Sequence, residues 1–213
     1  MISIIYYVQI LLILFLFLIA INKFNKNAPI KIKIFFIPCM IGIFIRNLSI
    51  LFMSIVKDSS LAYNLKGIVY LDYLIVPLVI ICIYYVYFRI DNFSFNKIYL
   101  LSLICICLYV IFIKFSQGKI ILNNMFGYMI KLNNNIYINL SFIVILVLLL
   151  TLGTLFLNKK NVLKDKLIEL MIIIVFILID IIFIMIGINP IPYSIFGESL
   201  ILISLNSCVK TFK

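Results

Sequence analysis

The chain has 213 residues, of which 66% are hydrophobic and only 12% are charged, and its mean hydropathy is +1.31. A soluble domain of this size cannot bury so much apolar surface, so the composition excludes a soluble globular protein and predicts a polytopic membrane protein. The net charge of +11 comes mostly from lysines in short connections between apolar runs. We therefore expect these lysines to face the anionic inner leaflet of a lipid bilayer, and we expect no nucleic-acid partner.

Seven apolar runs are long enough to cross a bilayer as helices, each of which requires about 20 residues. In chain order they cover about residues 3–22, 34–56, 67–88, 98–115, 136–157, 167–187 and 191–209. The first run has no basic leader and no small-residue cleavage site, so we expect it to be retained as a helix. The sequence thus predicts an all-α bundle of seven transmembrane helices that forms a single membrane domain.

Two connections between the runs have distinctive sequences. The longest, residues 114–135, contains a candidate for an amphipathic segment or short strand at residues 120–132. Such a segment would cap the bundle and touch an external ligand, whereas a plain loop would lie on the lipid surface. The last run opens with two prolines, Pro190 and Pro192, which suit the first turn of a helix. A helix start near Ile191 is therefore predicted.

The distribution of lysine and arginine predicts the orientation of the chain. The connections after the first, third and fifth runs, together with the C-terminal tail, carry twelve of these residues, and the opposite side carries five. Basic residues concentrate on the cytoplasmic side of a membrane. The N-terminus is therefore predicted to lie outside and the C-terminus in the cytoplasm, and the expected location is the bacterial cytoplasmic membrane.

Four ionisable residues fall inside the predicted spans: Arg46, Asp72, Asp180 and Glu198. Counted from the predicted outer ends at about 1.5 Å per residue, they lie about 8 to 15 Å deep, so all four can meet in the outer half of the membrane. Because an unpaired charge at that depth is costly, we predict that Arg46 contacts at least one of the three carboxylates. The excess of carboxylates would be balanced by a protonated carboxyl, a bound cation or a basic ligand.

Two interpretations of these charges follow from the sequence. The charges either form ion pairs that only fix helix packing, or they form a ligand-binding or proton-responsive switch. Two stripes at helical spacing predict protein-facing sides for the second and last helices. The first stripe comprises Cys39, Gly42, Arg46, Ser49 and Met53, and the second comprises Ser194, Gly197, Glu198, Ile201 and Ser204.

The sequence lacks the residues that several kinds of catalytic and metal-binding site require. Histidine is absent, which excludes His-assisted nucleophiles and His-ligated zinc. The five cysteines lie in apolar runs without a CxxC motif, and no glycine-rich nucleotide-binding loop occurs. Asp72 and Asp180 lack the Tyr-Asp and Gly-x-Gly-Asp contexts of intramembrane aspartyl proteases. We therefore expect no enzyme activity, no metal and no cofactor.

The layout of seven helices, with an external N-terminus and a tail that emerges directly into the cytoplasm, resembles the membrane input region of bacterial sensor histidine kinases. Three stretches carry the resemblance: the aromatic third run with its central Pro77, the long connection that ends near Asn135, and the proline-led last helix that ends at Cys208. It implies a non-enzymatic sensory domain that responds to membrane stress or to a small-molecule or peptide ligand. It also implies a cytoplasmic kinase or a second copy of the chain as partner, since the phospho-acceptor His and the ATP-binding domain are missing here.

In this interpretation the last helix carries a displacement from the four charged residues to the cytoplasmic tail. Two other classes of protein fit the same composition. One is a small transporter or a bacteriocin-immunity-type membrane protein, in which the charges line a path or a binding groove. The other is a structural subunit of a larger membrane complex.

Overall fold

A computed structural model of the chain describes residues 2–56, 59–88, 96–123, 125–133, 135–159, 161–187 and 191–212, with the backbone alone for residues 96 and 97. Within these residues, seven helical segments are long and apolar enough to cross a membrane. The long helices are α1 (Ile2–Asn27), α2 (Ile30–Ile55), α5 (Asp72–Phe88), α6 (Asn96–Phe115), α7 (Asn135–Phe156), α8 (Lys164–Ile186) and α9 (Ile195–Val209). Shorter elements are α3 (Ser59–Asn64), α4 (Lys66–Val69), β1 (Gly118–Asn123), β2 (Gly127–Leu132) and a 3₁₀ turn (Lys210–Phe212). The predicted all-α architecture is confirmed, with one β-hairpin added.

The third span is interrupted where a continuous helix was predicted. The chain turns at Tyr70 and Leu71, between α4 and α5. In an unbroken α-helix the carbonyl of Val69 would accept the N–H of Tyr73, but that N–H bonds to the carbonyl of Tyr70 instead, at 3.3 Å. The break therefore releases the Val69 carbonyl for a bond from another helix.

The last helix begins four residues later than predicted. Residues 191–193 form a non-helical segment, α9 starts at Ile195, and the N–H of Ile195 bonds to the carbonyl of Tyr193 at 2.8 Å. Pro192 therefore precedes the helix and does not lie in its first turn, while Pro190 lies outside the described residues. The start is late because the segment buries the side chains of Ile191 and Tyr193, which a helix beginning at Ile191 would place differently.

Helix α9 packs against α1, α5 and α8. All five residues of its predicted packing face, from Ser194 to Ser204, are buried, as the spacing predicted. Gly197 fits this face because a Cβ there would lie 3.2 Å from Ile177 of α8. In the stripe predicted for α2, Arg46, Ser49 and Met53 are buried and the other two residues are half-buried. Both helices thus turn their small and polar residues toward protein.

The hairpin covers one end of the bundle. Its strands pair antiparallel with Ile120 opposite Ile130, and Gly127 begins β2 at a φ of +76°, which favours glycine. The ring of Phe126 packs edge-on against Tyr6 of α1 at 5.0 Å between centroids. The strands Gly118–Asn123 and Gly127–Leu132 therefore form the capping segment that was one alternative for this connection.

At the opposite end of the bundle, hydrogen bonds connect α5 to the segment before α8, and α8 to the last turns of α9. The N–H of Leu163 donates to the carbonyl of Tyr87 at 3.1 Å. Lys166 Nζ donates to Ser207 Oγ and to Glu169 Oε2, both at 2.7 Å. Residues from the end of the third span, the connection after the fifth and the end of the last span thus lie together at this end of the bundle.

Candidate functional site

Three helices bring charged side chains together beneath the hairpin. Arg46 lies in the second half of α2, Asp72 is the first residue of α5, and Glu198 lies in the first turn of α9. Their exposed fractions are 1%, 2% and 0%. We call these three residues and the two neutral residues that bond to them, Asn47 and Ser194, the charge cluster.

The guanidinium of Arg46 has a partner at each of its nitrogens. Nη2 donates to Asp72 Oδ2 at 3.0 Å, and Nε donates to the carbonyl of Val69 at 2.8 Å, the group that the break after α4 releases. Nη1 lies 2.7 Å from Glu198 Oε2, but this close ion pair lacks the alignment of a hydrogen bond. Arg46 is therefore paired with Asp72 through an aligned hydrogen bond and with Glu198 through a close ion pair.

Neutral side chains supply the remaining donors of the charge cluster. Ser194 Oγ donates to Asp72 Oδ2 at 2.7 Å, and Asn47 Nδ2 donates to Glu198 Oε2 at 2.7 Å. Asn47 Nδ2 also bonds to the carbonyl of Ile43, one turn earlier in α2, at 2.9 Å. The sequence did not predict that Ser194 and Asn47 donate to these carboxylates. Asn47 could have been noticed as a polar residue next to Arg46 in an apolar run, but Ser194 carried only a packing signal.

The charge cluster contains more acceptors than donors. Asp72 Oδ1, Glu198 Oε1 and Asn47 Oδ1 are buried acceptors without a hydrogen-bond partner among the described residues. Buried polar atoms are usually paired, so three orphans in one site require an explanation. The site is thus rich in buried oxygen acceptors, and its two carboxylates share one guanidinium.

Two tyrosines connect the charge cluster to the hairpin. Tyr193 Oη accepts the N–H of Ile130 at 3.1 Å, and Tyr70 Oη donates to the carbonyl of the same residue at 2.7 Å. The Tyr193 ring centroid lies 6.0 Å from Arg46 Cζ, within the range of cation–π attraction. Burial raises the pKa of Tyr193 to about 12, so its hydroxyl stays neutral at physiological pH. The central residue of β2 is therefore bonded to both tyrosines that adjoin Arg46 and its partners.

Asp180, the fourth predicted site residue, does not join the ion pairs of Arg46, which are made with Asp72 and Glu198. It is half-buried on α8 and lies close enough to Tyr73 of α5 to interact electrostatically. Tyr73 in turn donates a hydrogen bond to Asn139 Oδ1 of α7. Three of the four predicted residues are thus brought together, and the fourth lies on α8 outside the ion pairs of Arg46.

Within the described part of the chain, no group of three or more Cys, Asp or Glu side chains could hold a metal ion. No protein-family model matches the chain, and no curated protein matches it either. The fold and the site nevertheless define a class of protein. Seven apolar helices indicate a multi-pass membrane protein, and its polar centre is a buried arginine shared by two carboxylates beneath a capping hairpin.

Proposed function

We propose that the chain is a membrane-embedded sensory domain that passes a signal from its hairpin, through the charge cluster, to the far end of α9. In this proposal it is not an enzyme, its hairpin faces outward, and its C-terminal end meets a cytoplasmic kinase or a second copy of the chain. The lysine and arginine distribution, twelve residues against five, supports this orientation in a bacterial cytoplasmic membrane.

The observation that carries the proposal is the double hydrogen bond at Ile130. Both backbone groups of this residue bind tyrosines, and Tyr193 immediately precedes Ser194, which bonds to Asp72. A ligand that shifts β2 therefore pulls on the residues that hold the start of α9. The residues in this chain of contacts are buried. A displacement of β2 would therefore move the neighbouring side chains by direct contact.

Helix α9 supplies the second half of the route. Its first turn is tied to α2 and α5 by Glu198 and Ser194, and its last turns are tied to α8 by Ser207. From Ser194 to Val209 the helix extends for about 22 Å. A helix that packs against its neighbours and is bonded near both ends can shift as a rigid body between two positions, which is a common form of signalling transition.

Hydrogen exchange of the full chain in lipid nanodiscs tests this route. Tyr193→Phe removes the acceptor for the Ile130 N–H, and one lost hydrogen bond of about 1 kcal/mol raises the local opening constant roughly fivefold. We expect faster exchange in β2 and also in residues 205–209 of α9. The matched control is Tyr137→Phe, which removes a hydroxyl from a side chain that is 74% exposed.

An effect of Tyr193→Phe that stays within β2 would contradict the proposed relay. The transporter alternative makes a separate prediction, since it requires solute movement. Flux of Na⁺ or H⁺ across proteoliposomes, dependent on Glu198, would replace the sensory proposal with a transport function.

A further inference from the structure

We propose that the charge cluster binds one proton, and that the proton resides on Glu198 Oε1. This inference concerns the site itself and does not rest on the sensory function. The first observation is the net charge of the charge cluster. One guanidinium and two carboxylates, all essentially unexposed, sum to one negative charge if each group is ionised. A net charge in the interior of a membrane bundle is strongly unfavourable, and a single proton makes the charge cluster neutral.

Among the described residues, no cation other than Arg46 pairs with these carboxylates. The titratable groups that the neighbouring elements present near the charge cluster are Tyr6 of α1, Tyr70 next to α4, Tyr73 of α5, Tyr109 of α6, Asp180 of α8 and Tyr193 before α9. Five of these are tyrosines, which are neutral, and the sixth is another acid. The charged groups that act on Glu198 are Arg46 and Asp72.

The geometry selects Glu198 over Asp72 as the proton acceptor. Asp72 Oδ2 receives two aligned donors, Arg46 Nη2 and Ser194 Oγ, and both stabilise its ionised form. Glu198 Oε2 receives one neutral donor from Asn47 and an ion pair without hydrogen-bond alignment. Glu198 is therefore the less well compensated carboxylate, and it is also fully buried.

The unpartnered oxygens provide a second, independent observation. Three buried acceptors of the charge cluster lack a hydrogen bond, and the one unaligned donor, Arg46 Nη1, already faces Glu198 Oε2. One additional proton would therefore supply a hydrogen bond that these acceptors lack. A proton on Glu198 Oε1 converts that atom from an acceptor to a donor. Asn47 Oδ1 is an unpartnered acceptor on the side chain that already binds the other oxygen of Glu198. An acid and an amide can bond reciprocally in this way, with each group donating one hydrogen bond.

Infrared spectroscopy of the purified full chain in nanodiscs tests the proposal, because a protonated carboxyl has a C=O stretch that a carboxylate lacks. We expect wild type at neutral pH to show one such band that shifts in D₂O. Glu198→Gln should abolish it, since the group is gone. Asp72→Asn should also abolish it, since one carboxylate against Arg46 is already neutral without a proton. Asp180→Asn is the matched control and should keep the band.

Absence of the band from wild type at neutral pH would overturn the proposal, and so would its survival in either Glu198→Gln or Asp72→Asn. Glutamine has the shape of a protonated glutamate, so Glu198→Gln is expected to fold with unchanged helical circular dichroism. If Asp72→Asn does not fold, the spectra of wild type and Glu198→Gln decide the question by themselves.

Discussion

Replacement of Arg46 by methionine is the most informative perturbation of the fold. Methionine keeps an unbranched stem like that of arginine but lacks the guanidinium, so it leaves Asp72 and Glu198 buried without a cation and the Val69 carbonyl without its donor. Removing one partner of a buried ion pair typically costs about 3–5 kcal/mol. For a chain of this size such a loss lowers the melting temperature by roughly 6–20 °C. Thermal unfolding in detergent micelles, followed by far-UV circular dichroism, measures the change.

Double-mutant cycles then assign the partners of Arg46. Combined with Arg46→Met, Asp72→Asn should recover between about 0.5 and 3 kcal/mol, because it removes the uncompensated carboxylate. Glu198→Gln should recover less, because a protonated Glu198 carries no charge. Asp180→Asn should add its own effect without recovery, since Asp180 is not an ion-pair partner of Arg46. Additive losses in both of the first two cycles would refute the ion pairs. Ile45→Met, on the exposed side of the same helix, is the matched control and should change stability by less than about 0.5 kcal/mol.

Glycine substitutions test the packing around the site. Gly127→Ala should detach the hairpin, because its Cβ would lie 2.6 Å from the backbone of α2 at a φ of +76°, and faster hydrogen exchange in β2 reports this. Gly187→Ala, at a φ of +80° with nothing within 4 Å, carries backbone strain of about 1–2 kcal/mol alone and leaves β2 unchanged. Gly153→Ala should lower the unfolding free energy by about 1–3 kcal/mol, since its Cβ would lie 2.7 Å from Tyr84 Oη. Gly67→Ala, with its nearest contact at 3.7 Å, should be neutral or slightly stabilising in the same thermal assay.

The helices could be predicted from the sequence because span length and hydrophobicity are properties of the residues themselves. The pairing of Arg46 with Asp72 and Glu198 was also accessible, since depth follows from counting residues along each helix. The same count placed Asp180 with the other three, which the structure does not support. Depth gives no information on the direction in which a helix turns each side chain, and that direction is set by packing.

Other parts of the site depend on contacts that leave no sequence pattern. The carbonyl of Val69 binds Arg46 only because the helix breaks after α4, and a backbone acceptor is present in every residue. Tyr193 bonds to β2 only because the last helix starts late, whereas two prolines predicted an earlier start. The hairpin was one of two alternatives, since six-residue strands without a strict alternation give a weak signal.

The two ends of α9 differ in how firmly they are held, and this difference gives the sensory proposal a direction. At the hairpin end, Glu198 and Ser194 are buried in the charge cluster, where breaking a pair costs several kcal/mol. At the opposite end, Ser207 accepts a hydrogen bond from Lys166 of α8, whose ammonium group is partly solvated because its side chain is 37% exposed. In the sensory proposal, a displacement that begins at the charge cluster meets a weaker polar bond at Ser207, while the buried side chains of Leu205, Cys208 and Val209 keep the helix packed. The sensory proposal therefore expects the far end of α9 to move when the charge cluster changes its state.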